Sequence, residues 1–401
     1  MRTAHLLCTI ALGVGSLVVG LAAQAPAPAS PIRQVSGANF VHVVRADGSV
    51  VGWGREEGGF GGARPAPASG TAVPFNLKLP GKVQQMTSGD DMTYALMEDG
   101  VLYAWGRNDR GQFGQGPGSS RTPGNPLQSS APIRVIVPND IIQISAAGHH
   151  VLAVRSNGVV LSWGLRPGPD LGDMALKQVD GLTDVVRVAA AGDHDLAVTR
   201  EGRVYGWGEN KNGQIGLDPA TTRRSATPVL VEGLDQVVDV VASGTTNFGY
   251  SGALKRDGTV WMWGSDQSAT MGDGVFWANG GPEENRPTPM IVKGIAGVTA
   301  LSASGGHVVA LLADRTLRTW GHDGWGQAGV GTNGFYQPLP KRPAITGVVA
   351  IYAVNNATFA VKADGTLWWW GASSVNNQRA ELGRNRYVPT LVTLPGPEAS
   401  P

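Results

Sequence analysis

The sequence of 401 residues holds a single cysteine, Cys8, and that residue lies in the N-terminal segment. Downstream of it there is no disulfide, no thiolate metal ligand and no cysteine nucleophile. Charge of one sign is also lacking, since 32 basic residues face 31 acidic ones and the formal net charge is +1. That balance supplies no long-range field to gather a polyanion, which argues against nucleic acid and anionic membranes as partners. After residue 30 no long stretch carries apolar residues at helical spacing. P-loop, HExxH and GxSxG elements are missing as well. No cofactor or metal site is expected, and no catalytic role.

Glycine and proline are plentiful, at 58 and 26 residues, as suits many short strands joined by tight turns. Residues 1–25 read as a secretory signal: Arg2 gives a positive start, Leu6 to Val19 an apolar run, and Gly20 to Ala25 a set of small residues. Pro26 disfavours cutting after Ala25, which leaves Ala22 or Ala23 as the cleavage position. The rival reading is a retained membrane anchor, for which the segment is barely long enough. The signal places the mature chain outside the cytoplasm, either periplasmic or secreted. Residues 26–31 form a Pro/Ala linker, residues 32–395 the folded domain, and residues 396–401 a short tail.

The folded part is a repeat. Tryptophan followed by glycine occurs at Trp53, Trp105, Trp163, Trp207, Trp263, Trp320 and Trp370, spaced 44 to 58 residues apart. Most of these strands follow an Asp-Gly or similar pair, which is the signal of a tight hairpin. The residue three before each tryptophan is apolar in all seven units, running from Val50 to Leu367. The residue just before it is small in most units, with Met262 and Trp369 as exceptions, so blades five and seven should pack differently. A loop of the form Gly-Gln-x-Gly follows in Gly111 to Gly114, Gly213 to Gly216 and Gly326 to Gly329, and its apolar residue reads as an anchor into the blade.

This period and these parts specify an all-β, seven-bladed β-propeller of four-stranded blades. The first unit lacks a proline-led opening strand, and the chain finishes with a spare one at Pro389 to Leu394. The C-terminal strand is therefore expected to complete blade one and seal the ring.

The paired Trp-Gly and Asp-Gly signature resembles the regulator of chromosome condensation repeat family over about residues 32–394. That resemblance implies a seven-bladed β-propeller. It also brings a range of roles: guanine-nucleotide exchange factors, chromatin binders, and secreted bacterial inhibitors that cap a β-lactamase. The export signal and the lack of a basic tail argue against a nuclear role here, so an exchange-like function rests on family analogy alone.

His150, His194 and His307 recur near one repeat position and read as structural, because blades of a seven-fold ring hold them too far apart to share a metal. The loops say more about binding. Phe276 and Trp277 lie in the longest insertion, residues 265–289, and Phe335 and Tyr336 in the loop of blade six. Aromatic residues on loops of a rigid scaffold serve binding faces; the plainer reading is that they cap their own blade. The leading expectation is a monomeric, exported scaffold that binds another protein through loops on one face. The alternative is a carbohydrate- or cell-wall-binding propeller using Trp261, Trp277, Trp325, Trp368 or Trp369 as stacking platforms.

Overall fold

The computed structural model describes residues 31–38, 40–54, 74–119, 125–165, 174–244, 248–275, 285–332, 334–372 and 385–396. The expected signal and nearly all of the expected linker lie outside them, as do Phe276 and Trp277. Among the described residues no helix is long and apolar enough to cross a membrane.

Each blade is built around its hairpin. Gly48, Gly100, Gly158, Gly202, Gly258 and Gly365 all sit at φ near +80°, a region glycine enters without steric cost. In four turns the aspartate accepts a hydroxyl hydrogen bond from Ser49, Thr259, Thr316 or Thr366, and this bond holds its carboxyl below the usual range. Unit six puts Arg315 where the others have glycine, at φ 62°. Its backbone bonds, to Leu312 and from Val348, would survive loss of the side chain. Arg315→Gly is therefore expected to stabilise the protein by about 0.5–1 kcal/mol, relief of left-handed strain outweighing the extra freedom of the unfolded chain. A fall in the urea midpoint would refute this.

Among the described residues the chain forms seven four-stranded antiparallel sheets. Blade one runs from innermost to outermost through Ile32–Gly37, Phe40–Arg45, Val50–Gly54 and Phe75–Leu77. The other blades span residues 83–134, 141–178, 185–230, 237–291, 298–341 and 348–392. Proline punctuates several outermost strands, as at Pro132, Pro228, Pro338 and Pro340, where a missing donor discourages further strand pairing.

Ring closure differs from expectation. The C-terminal strand Arg386–Val392 pairs with Leu367–Gly371, so it completes blade seven and not blade one. The proline-led strand follows a Trp-Gly strand in the chain and takes that strand's open edge through the connecting loop. Blade one obeys the same rule with its own outer strand, Phe75–Leu77 on Val50–Gly52. The ends are joined by packing and side chains. Val41, Val43 and Trp53 of blade one share a core with Phe359, Leu367 and Trp369 of blade seven. The Tyr352 hydroxyl donates to the Arg33 carbonyl at 3.0 Å. Past the last strand, the Pro395 carbonyl accepts from the Arg45 guanidinium and the Gly396 carbonyl from the Asn76 amide.

The apolar cores lie between blades. In each unit the repeat tryptophan faces the preceding blade: Trp163 packs with Tyr94 and Phe113, Trp320 with Met271 and Val292. Three residues earlier the strand faces the following blade, so Val50 shares a core with Trp105 and Val160 with Trp207. This is the two-residue alternation of a strand buried on both faces. Met262 is accommodated because Gly252 stands opposite it, inverting the large–small order of the neighbouring strands. Trp369 pairs with Phe359 and fills the seam to blade one, where small valines receive them.

Candidate partner-binding face

One face of the ring carries both the Gly-Gln-x-Gly loops and the turns that leave the innermost strands. Backbone bonds tie the two together, from Arg107 to Asp91, Glu209 to Asp193 and His322 to Gly306. The loops are fixed from two directions. An Asn or Asp three residues after the tryptophan accepts the amide of the loop anchor: Asn108 from Phe113, Asn210 from Ile215, Asp266 from Met271, Asp323 from Ala328. From the other side, the indole of the next blade donates to a loop carbonyl. Trp163 donates to Gln112 at 2.9 Å, Trp263 to Gln214 at 2.9 Å, Trp320 to Thr270 at 2.7 Å and Trp370 to Gln327 at 2.7 Å. The closing glycine keeps that approach open, since a β-carbon on Gly329 would sit 2.5 Å from the Trp370 indole nitrogen. The described anchors Phe113, Ile215, Met271 and Ala328 are buried as expected.

The histidines are held apart, each committed across a blade seam. His150 pairs with Asp195 at 2.8 Å, His194 with Ser251 at 2.9 Å and His307 with Thr358 at 3.0 Å. His194 also meets Asp193 at 2.9 Å, so Asp193, His194 and Ser251 have the spacing of a hydrolase triad. All three are buried, and the Ser251 hydroxyl donates to the Gln214 carbonyl at 2.8 Å. A nucleophile must reach its substrate; this one is a strut between blades four and five. Thr358 is likewise buried and also donates to the Gln327 carbonyl.

The remaining aromatic residues separate clearly. Trp369 is buried. Trp261 and Trp368 are half-buried, and the ammonium groups of Lys255 and Lys362 lie 5.6 Å from their ring centroids. Tyr336 is half-buried, with its ring edge-on to His322 at 5.4 Å, so it caps its own blade. Phe335 is 73% exposed and Trp325 is 47% exposed. Both stand on a fixed base. The Trp325 amide donates to the Gln327 side chain at 2.9 Å, the Gln327 amide meets His322 at 2.7 Å, and the Asp323 amide donates to the Phe335 carbonyl at 2.8 Å. Burial pushes the Asp323 carboxyl up to about 6, even though it accepts from Ala328 and Gln337. A β-carbon on Gly324 would lie 3.3 Å from the Phe335 ring, and one on Gly326 would lie 2.7 Å from the Tyr387 ring. The two neighbours of exposed Trp325 thus adjoin aromatic residues of blade six and blade seven. Phe248, 50% exposed, adds an apolar group on the same face of blade five.

Seven four-stranded sheets, with the indoles of four of them bonded to the neighbouring loop, define a β-propeller of the type the repeats announced. The chain belongs to the RCC1-like domain family, whose profile matches residues 11–336. It is similar to the ultraviolet-B receptor UVR8 of Arabidopsis thaliana, with 30% identity over 384 residues covering 93% of this chain and 72% of that protein. It is also similar to the mitochondrial RCC1 domain-containing protein RUG3 of the same plant, with 29% identity over 69% of this chain and 62% of that protein. The chain therefore spans less than two thirds of that relative. Among solved structures, Prp20p of Saccharomyces cerevisiae superposes with a TM-score of 0.73 at 19% identity, covering 91% of this chain and 87% of that one; this likeness concerns the fold.

Proposed function

We propose that this protein is an exported scaffold that binds another protein through the loop face of its propeller, with blades five to seven as the binding sector. The observation that carries the reading is the pair Trp325 and Phe335, exposed on a loop whose base is fixed by hydrogen bonds. Rigid, exposed aromatic residues bind at low entropic cost and dominate interface energetics. Prp20p, by the description of its structure, has binding properties towards Gsp1p and histones, which supports a protein partner here as a class. The same analogy is the sole support for an exchange-like role. A glycan platform is less favoured, because the rings of Trp261 and Trp368 are covered by lysine and Trp369 is buried.

Affinity capture from the native extracytoplasmic fraction tests this. The double variant Trp325→Ala/Phe335→Ala is expected to lose the main partner, each truncation weakening binding by about 2 kcal/mol or more, with its thermal melt unchanged. Identical partner lists for variant and wild type would sink the choice of sector. N-terminal sequencing of the mature protein should begin at Ala23 or Gln24; a start at Met1 would rule out cleavage and leave a retained anchor as the one route for export.

A further inference from the structure

The seven innermost strands enclose an axial channel of about 540 Å3. Its wall follows a rule in the first three blades. At one register position Gln34, Gln85 and Gln143 each clip the next innermost strand with two bonds. Gln34 gives to the Met86 carbonyl and takes from the Met86 amide; Gln85 does the same with Ile144, and Gln143 with Val188, all at 2.8–3.0 Å. Blade four has Arg187 and blade five Asp239 at this register. A carboxylate has no N–H to give, so the clip cannot form, and Oδ1 accepts only from the adjacent Val240 amide at 3.0 Å. Asp239 therefore forfeits a structural bond and places a carboxyl on the channel wall, where burial pushes its proton affinity up.

No lysine, arginine or histidine lines the channel among the described residues; its two ionisable carboxyls are Asp239 within and Asp90 at the loop-face mouth. Arg187 holds the same register on the adjacent innermost strand of blade four, and its charge lowers the Asp239 carboxyl against the larger rise from burial; it is exposed and does not belong to the lining. Between the carboxyls the wall carries hydroxyls, among them Ser36, Thr87, Ser145 and Ser302. Asp239 and Asp90 stand roughly 15 Å apart along the axis, taking about 3.3 Å per residue of strand.

We propose that the channel is a binding site for a linear organic amine, with one ammonium on Asp239 and the chain directed towards Asp90. An ammonium group offers three donors, which match a carboxylate and neighbouring hydroxyls. A divalent metal fits less well, because it asks for several oxygen ligands around one point, and no group of three potential ligands converges among the described residues. This site is separate from the aromatic sector on the loop face, so either proposal can fail alone.

Spermidine is the probe, titrated calorimetrically at constant ionic strength into wild type, Asp239→Gln, Asp239→Asn and Asp90→Asn. The expected result is one equivalent bound to wild type, at least tenfold weaker binding to both Asp239 variants, and a smaller loss for Asp90→Asn. Asp239→Gln is expected to fold and to melt no lower than wild type, since it restores the clip. Equal binding to wild type and the Asp239 variants, or no binding at millimolar spermidine, overturns the proposal. Asp239-dependent binding of calcium without binding of spermidine overturns it too.

Discussion

Trp320→Ala is expected to lower the free energy of unfolding by about 3–5 kcal/mol, whereas Trp325→Ala, five residues on, should change it by no more than about 0.5 kcal/mol. Trp320 is fully buried, fills the seam of blades five and six with Met271 and Val292, and donates its indole hydrogen to the Thr270 carbonyl. Truncation leaves a cavity and an acceptor without its donor. Trp320→Phe keeps most of the ring and loses the donor, so about 1–3 kcal/mol is expected. Urea melts of the three variants decide the matter. If Trp320→Ala and Trp325→Ala destabilise alike, the division of the tryptophans into clamps and binding groups is wrong.

Acid should weaken the fold well before its carboxylates are protonated. His42 and His307 are buried, and loss of hydration lowers each to about 3 from an ordinary value of 6.5. A histidine with a lowered folded value stays neutral while the unfolded chain takes up a proton. The stability it protects is thus complete above pH 6.5 and is lost as pH falls towards 3, at about 1.4 kcal/mol per pH unit for each group. Burial acts in the same direction on His149 and His322. Asp323, raised to about 6 by burial, works the opposite way between its unfolded value near 3.8 and 6, returning one proton's worth of slope. The turn aspartates Asp47, Asp257, Asp314 and Asp364 add acid sensitivity only below their unfolded value of 3.8.

His42 isolates one contribution. Both of its nitrogens are buried without a hydrogen-bond partner, and Leu152 and Leu196 hold the same register in blades three and four. His42→Leu should therefore raise stability at pH 7 by about 1–2 kcal/mol and flatten the decline between pH 6.5 and 5. Thermal melts from pH 5 to 8 test both expectations. An unchanged slope would show that His42 is not among the groups that titrate on unfolding.

The blades were legible because their determinants are local. Asp-Gly turns, a period of two within each strand and a tryptophan every 44 to 58 residues are all written within a single unit. The sheet to which a proline-led strand belongs is a different kind of question. Such a strand lies between two units, and its own residues suit either edge; only the pairing of Arg386–Val392 with Leu367–Gly371 decides it. Contacts across seams were hidden for the same reason, since His150 and Asp195 lie 45 residues apart in different blades. The loop acceptor three residues after tryptophan was within reach of the sequence, as Asn108, Asn210, Asp266 and Asp323 repeat at one offset. Among the loop aromatics, nothing in the chain distinguishes exposed Phe335 from Tyr336, which turns towards His322, because exposure is set by the fold of the loop and not by the residue type.

The indole clamps all point one way. Trp163, Trp263, Trp320 and Trp370 each hold a loop that was made before them in the chain. A propeller emerging residue by residue thus finds each new tryptophan's acceptor already in place, and blades can be added in order without waiting for later sequence. Trp53 is the exception, because its neighbour across the seam is Phe359 of blade seven, the last blade of the ring to be made. Blade one must persist with its tryptophan uncovered until blade seven has been made. In a nascent-chain series this interval is where a chaperone would find exposed apolar surface, and where premature release would leave an open ring.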